Sequence, residues 1–164
     1  MENATYATLT RQAGLLAQMQ AVANNIANAD TAGFKAEGVT FTEVVRRAGD
    51  GPSLSMAAAR VRETALVQGS LERTGGAFDL AIEGDGFFLV ETPQGPRLTR
   101  AGQFGVDPAP AARVLQGFLE ESNVDPVLEV ARMIEVSRAY EAGQSFLERE
   151  DERIRKTIQA IQVR

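Results

Sequence analysis

The sequence predicts a mainly α protein with a small β part. Long N- and C-terminal helices pair as a coiled-coil-like layer, with short β-hairpins in the middle. Three observations carry this prediction. Apolar residues recur at helical spacing from Glu2 to about Asn28, and again from about Asp125 to Val163. Thirteen of the fifteen glycines lie between Gly33 and Gly117. Helices tolerate few glycines and turns require them, so the chain reads as helix, turn-rich middle, helix.

In the first segment Thr5, Leu9, Gln12, Leu16, Met19, Ala23 and Ile26 follow steps of four and three, and Tyr6, Leu15 and Val22 widen the stripe. The segment holds no proline and one glycine, Gly14. It stops at Asn28-Ala29-Asp30-Thr31-Ala32-Gly33, a cluster of helix-ending and turn-forming residues. Within Asn24-Asn25-Ile26-Ala27-Asn28 the amides can cap the helix end, and the small alanines permit close approach of a neighbouring helix. Gly33 is expected to take the turn out of the helix, with Phe34 packing back.

The last segment opens on Asp125, a good N-cap, followed by Pro126 at the first helical position, where a missing N–H costs nothing. Val130, Met133, Val136, Tyr140, Leu147, Ile154, Ile158 and Ile161 keep helical spacing over a length of about 55 Å. A stripe this long without internal stops points to a coiled coil. Between Glu148 and Lys156 the remaining positions are dense in both charges, as on a solvated or partner-facing helix.

In the middle, Leu80–Ile82, Phe87–Val90 and Arg97–Thr99 are separated by Gly84-Asp85-Gly86 and Pro93-Gln94-Gly95-Pro96, which reads as small hairpins. Pro108-Ala109-Pro110 reads as a connector. The expected organisation is therefore an N-terminal helix of an inner helical domain (1–33), a partly extended connecting segment (34–78), a β portion (79–114), and a return segment with the long C-terminal helix (115–164). Burial against a single partner helix leaves little surplus over the entropy of ordering each terminal segment. Both termini are accordingly expected to order fully only when many copies pack.

Composition narrows the chemistry. The 164 residues include no Cys, His or Trp, and 17 Lys and Arg stand against 22 Asp and Glu for a net charge of −5. Thiolate catalysis, disulfides and Cys/His zinc sites are excluded, as is an imidazole-based triad. The acidic balance argues against a dedicated nucleic-acid partner. No run of eighteen apolar residues occurs, so no membrane insertion is expected, and Met1–Thr10 lacks the basic start of a cleaved secretory signal. Glu83 and Asp85 are the closely spaced carboxylates beside aromatics, the pattern a glycoside hydrolase would need. They are better read as flanking a turn, with Asp favoured there for local hydrogen bonding. No catalytic residue, cofactor or metal is expected.

Four collinear motifs resemble one family. Ala23–Asn28, continued by Thr31-Ala32-Gly33-Phe34-Lys35, is similar to the N-terminal signature of the flagellar basal-body rod, hook and hook-associated proteins. Gly69–Gly75 with Asp79–Phe88 resembles the segment shared by rod and hook proteins. Gln116–Glu120 with Ser122-Asn123-Val124 resembles the re-entry into the C-terminal helix, and Met133-Ile134-Glu135 with Arg138-Ala139-Tyr140-Glu141 the motif inside it. The opening, Met1–Ala4 with Leu9–Gln12, is most similar to the proximal-rod type. One departure stands out: after Leu98–Phe104 the family normally continues into a larger outer β domain, whereas here Gly105 to Val114 alone intervenes, so 79–114 reads as a remnant of that domain.

The resemblance implies a structural subunit of the bacterial flagellar proximal rod, assembling helically to transmit torque across the periplasm. Its implied partners are copies of itself, other rod proteins and, during secretion, the flagellar type III export apparatus, which uses no cleaved signal. The expected assembly face comprises Leu9, Leu16, Met19, Asn24, Asn25, Ile26, Asn28 and Phe34 from the first part of the chain. From the last it takes Met133, Ile134, Arg138, Tyr140, Leu147, Ile154 and Ile158. Arg138 suits pairing with a carboxylate of a neighbouring subunit, and Tyr140 can bury its ring while its hydroxyl finds a polar partner. Competing readings are a distal-rod or hook-type subunit, a carboxylate-based wall hydrolase on Glu83 and Asp85, and a cytoplasmic coiled-coil adaptor.

Overall fold

A computed structural model of the chain describes residues 2–46, 54–104 and 114–162. It contains two helices, α1 (Glu2–Ala27) and α2 (Pro126–Gln162), of 26 and 37 residues. Between them run eight strands: β1 (Glu37–Arg46), β2 (Leu54–Thr64), β3 (Leu71–Arg73), β4 (Leu80–Ile82), β5 (Phe88–Thr92), β6 (Gly95–Thr99), β7 (Val114–Gln116) and β8 (Phe118–Glu120). These pair two by two as β1–β2, β3–β8, β4–β7 and β5–β6.

The expected fold class needs correction. The molecule is mixed α/β, not mainly α with a coiled-coil-like layer, because the middle of the chain is built into four small sheets. β1 and β2, at ten and eleven residues, are the longest strands. The hairpin expectation also holds for just one pair. β5 and β6 form a hairpin with Phe88 opposite Thr99 and Thr92 opposite Gly95. β4 does not join β5; it pairs antiparallel with β7, Ile82 opposite Val114, and β3 pairs with β8, Leu71 opposite Glu120. The physical reason lies in burial. Leu80, Ala81 and Ile82 are all buried, and they find an apolar partner in Val114-Leu115 rather than in β5, whose Leu89 is exposed. Turn residues announce a reversal but not the identity of the partner strand. The Pro108–Pro110 connector lies outside the described residues.

Both helix boundaries follow local chemistry. At the start of α2, Asp125 Oδ1 accepts from Val127 N (2.9 Å) and Leu128 N (3.2 Å), an N-cap ahead of Pro126. At the end of α1, Asn28 N donates to the Asn24 and Asn25 carbonyls, and Asn28 Nδ2 reaches Asn24 O at 2.9 Å. The chain then turns at Gly33 with φ 67°, and a Cβ there would overlap the Arg100–Ala101 backbone. No other residue type fits.

The chain forms two compact units, each drawn from separated stretches. One comprises Met1–Ala23, Gly38–Glu63 and Val130–Arg164; the other Asn24–Glu37 and Thr64–Glu129. In the first unit Leu15, Ala21 and Val22 from α1 are buried, as is Val136 from α2. In the second the core is Leu80, Ala81 and Ile82 of β4. Among the described residues no helix is long and apolar enough to cross a membrane.

Candidate assembly faces and a buried charge node

In the first unit α1 and α2 touch through a polar contact amid apolar ones. Gln12, 7% exposed, donates from Nε2 to the Tyr140 carbonyl at 2.9 Å. The absence of a side chain at Gly143 makes the approach possible, since a Cβ would strike the Gln12 amide. Tyr140 completes its own bonding by accepting from Gln144 Nε2 at its hydroxyl, 3.0 Å.

Large apolar side chains nevertheless remain exposed on both helices. On α1 these are Tyr6, Leu9 and Leu16; on α2 they include Val130 and Ile134, and Ile154, Ile158 and Ile161, which continue the line of the buried Val136. Leu16 sits one residue, about 100° around the helix, from buried Leu15, so one side chain faces the intramolecular partner and the other does not. Of the expected assembly residues, Leu9, Leu16, Asn24, Ile134, Arg138, Ile154 and Ile158 are exposed. Met19, Ile26, Asn28, Phe34, Met133, Tyr140 and Leu147 are half-buried.

Asn25 is different. It is buried within the second unit, and its amide is engaged by its own chain. Oδ1 accepts from Glu37 N (2.8 Å), while Nδ2 donates to Glu37 O (2.8 Å) and to Glu129 Oε2 (3.0 Å). The pairing copies a strand ladder, and it ties the end of α1 to the start of β1.

The second unit also holds a group of charges that the sequence analysis did not single out. Glu120, fully buried on β8, lies between two cations: Lys35 Nζ is 2.5 Å from Oε1 and Arg100 Nη1 is 2.8 Å from Oε2. Gly69 N adds a third bond to Oε1 at 3.0 Å. Two cations against one anion would leave an excess buried charge, and backbone carbonyls answer it. Lys35 donates to Val67 O (2.8 Å) and Arg100 to Gly84 O (2.6 Å) and Ile82 O (3.3 Å). The Arg100 guanidinium also lies 5.4 Å from the centre of the Phe87 ring, a favourable cation–π distance. Asn123 adds a polar clamp nearby, accepting from Ala36 N and donating to Ala65 O and Val67 O. The sequence marks two of the three: Lys35 and Arg100 stand beside apolar or small residues, where a solvated charge is out of place, whereas Glu120, followed by Glu121, Ser122 and Asn123, looks like an ordinary exposed carboxylate.

Glu83 and Asp85 are exposed on the bend after β4. Among the described residues no group of three or more Asp or Glu is set to hold a metal ion.

Two stretches of the chain are similar to known proteins. Residues 6–35 match the family model described as "Flagella basal body rod protein", and residues 115–160 match "Flagellar basal body rod FlgEFG protein C-terminal". These two stretches contain most of α1 and α2, and with them Lys35 and Glu120. Together with the relatives that follow, these matches support a FlgF-like protein of the flagellar basal-body rod family. Within it the chain resembles the rod proteins called FlgF: it is 28% identical to that of Mesorhizobium japonicum, covering 86% of this chain and 90% of the relative. It is also 28% identical to that of Caulobacter vibrioides, covering 98% of each. A flagellar hook protein, FlgE of Rhizobium meliloti, is 38% identical over 76% of this chain but just 34% of its own length. The alignment with the Caulobacter protein runs over 242 positions, against 164 residues here, so the relative carries sequence that this chain lacks. The chain is a structural subunit of the flagellar rod, and neither a wall hydrolase nor a cytoplasmic adaptor finds support.

Proposed function

We propose that this subunit belongs to the proximal rod and assembles helically, head to tail, with copies of itself and with other rod proteins. One observation carries the reading. α1 and α2 keep Tyr6, Leu9, Leu16, Ile134, Ile154 and Ile158 exposed although Leu15, Val22 and Val136 are buried, and a protein built to remain alone would cover those positions with charge. The interfaces of an open helical assembly are heterologous, so one surface of a copy meets a different surface of the next. Torque then crosses the periplasm through many packed helix contacts, with no reaction chemistry at any residue.

In this reading 1–33 and 115–164 make the inner helical layer, 34–78 connects, and 79–114 is what remains of an outer β domain. The exposed members of the assembly face, Leu9, Leu16, Ile134, Arg138, Ile154 and Ile158, meet neighbouring subunits. Export through the flagellar type III apparatus, without a cleaved signal, belongs to the same reading. Marginally stable terminal helices support it, because they can be threaded unfolded and fold on joining their neighbours.

Leu16→Asp and Ile134→Asp test the reading. Each places a charge on an exposed position, so the isolated chain should keep its secondary structure while cells lose completed rods and motility. Intact rods and normal swimming in both variants would overturn the proposal.

A further inference from the structure

α2 outruns α1. From the Gln12–Tyr140 contact, α1 extends back ten residues to Glu2, whereas α2 continues 22 residues to Gln162. The second side-chain contact between the helices, Asn25 with Glu129, shows that they run antiparallel. The tip of α2 therefore projects past the start of α1 by about 12 residues, or about 18 Å. Burial agrees: every residue from Asp151 to Ile161 is exposed. Yet this tip keeps an apolar stripe of Ile154, Ile158 and Ile161, the last of them 71% exposed. Charges crowd its root, where Glu150, Asp151 and Glu152 pair with Arg153, Arg155 and Lys156. From Thr157 to Gln162 there are none.

The same unit carries a groove of about 350 Å³ between the two helices, lined among others by Thr8, Gln12, Leu15, Ala139, Ala142 and Phe146. Leu15, Ala139, Ala142, Gly143 and Phe146 give it an apolar part, and Thr8, Arg11 and Gln12 a polar one, in which Gln12 matters most. Gln12 is 93% buried, and its Oε1 has no hydrogen-bond partner among the described residues, because Nε2 alone is used by Tyr140. A buried amide oxygen left in this state calls for a donor from outside.

We propose that the tip of α2 seats in the α1–α2 groove of a second copy of this chain. The fit is chemical as well as geometric. The tip is uncharged and amphipathic, and its Ile154, Ile158 and Ile161 match the apolar Leu15, Ala139, Ala142 and Phe146 of the groove. Gln159 lies about 100° around the helix from Ile158 and brings an amide N–H₂ to the edge of that contact, where the vacant Gln12 oxygen needs a donor. The tip cannot fill its own groove. Ile158 and Ala142 stand 16 residues apart on one continuous helix, about 24 Å. Tip and groove are different surfaces, so the contact repeats from copy to copy without closing. The inference rests on the rod reading and specifies the contact that joins successive copies.

The chain has no cysteine, so introduced thiols report cleanly. Ala142→Cys and Ile158→Cys are placed together in the full chain, and separately as controls, and basal bodies from cells carrying each variant are oxidised. The double variant should give a ladder of covalent dimers and higher multimers, and neither single variant should cross-link. A dimer from Ile158→Cys alone would show tip meeting tip and overturn the proposal, as would basal bodies that contain the double variant but show no ladder. Absence of the unmodified chain from basal bodies would instead overturn the rod reading. Ile158→Asp, beyond the reach of α1, should leave the circular dichroism of the purified chain unchanged and cut its incorporation at least tenfold; normal incorporation would count against the contact.

Discussion

Glu120 has no access to water and is held between cations that lie 85 and 20 residues away in sequence. Removing one partner from such a group leaves uncompensated charge in a medium that solvates it poorly, a penalty of about 3–5 kcal/mol. Urea denaturation of Glu120→Ala should show a loss of that size. Replacing Lys35, Arg100 and Glu120 together by Met, Met and Leu should recover most of it, since no charge then remains to be solvated. A loss below about 1 kcal/mol in the single variant would mean that water reaches the node. Lys35 and Glu120 fall within segments that resemble the family, but their contact was not legible. Nothing local tells a lysine beside Phe34 that its partner follows Leu119. Asn25 carries the same lesson: its residue type marked it as a hydrogen-bonding amide, and the position of β1 decided that Glu37 would receive it.

At the scale of elements, helices were far more legible than strands. Asp125-Pro126 and the Asn28–Gly33 cluster mark α2's start and α1's end because capping depends on neighbours a few residues away. Strand partners depend on residues far off, which is why β4 and β3 join β7 and β8 instead of forming successive hairpins. The projecting tip of α2 has a pH dependence of its own. Glu150 and Glu152 are held below the usual carboxylate range, first by hydrogen bonds from Arg153 and Lys156 and then by their charge. A depressed carboxylate stabilises the folded form above its ordinary range, and that stabilisation disappears as pH falls through the lowered value. Cα chemical shifts of residues 147–161 should therefore stay helical near neutrality and move toward coil under acidic conditions. Shifts indifferent to acid would show that these exposed pairs add nothing to helix stability.

For the whole molecule, both compact units are assembled from stretches that are distant in the chain. β3 and β4 find their partners after residue 113, so the second unit closes late, once the return segment has been made. The terminal helices bury some large apolar side chains and leave others exposed, so their order depends on neighbours as well as on each other. Helicity of the dilute purified chain should be submaximal and should rise with concentration as copies cover those exposed side chains. Circular dichroism over a hundredfold range of concentration checks this, and a constant, fully helical signal would refute it.

By itself the sequence determined the two helices, their caps, the turn-rich character of the middle, the absence of thiol and imidazole chemistry, and the rod family. All of these follow from periodicity, local turn chemistry and short motifs, which act between near neighbours. Tertiary structure alone decided the mixed α/β class, the pairing of β3 with β8 and β4 with β7, the Lys35–Glu120–Arg100 node, and the reach of α2 beyond α1. Each depends on which distant residues share a buried space, and burial is a property of the folded chain.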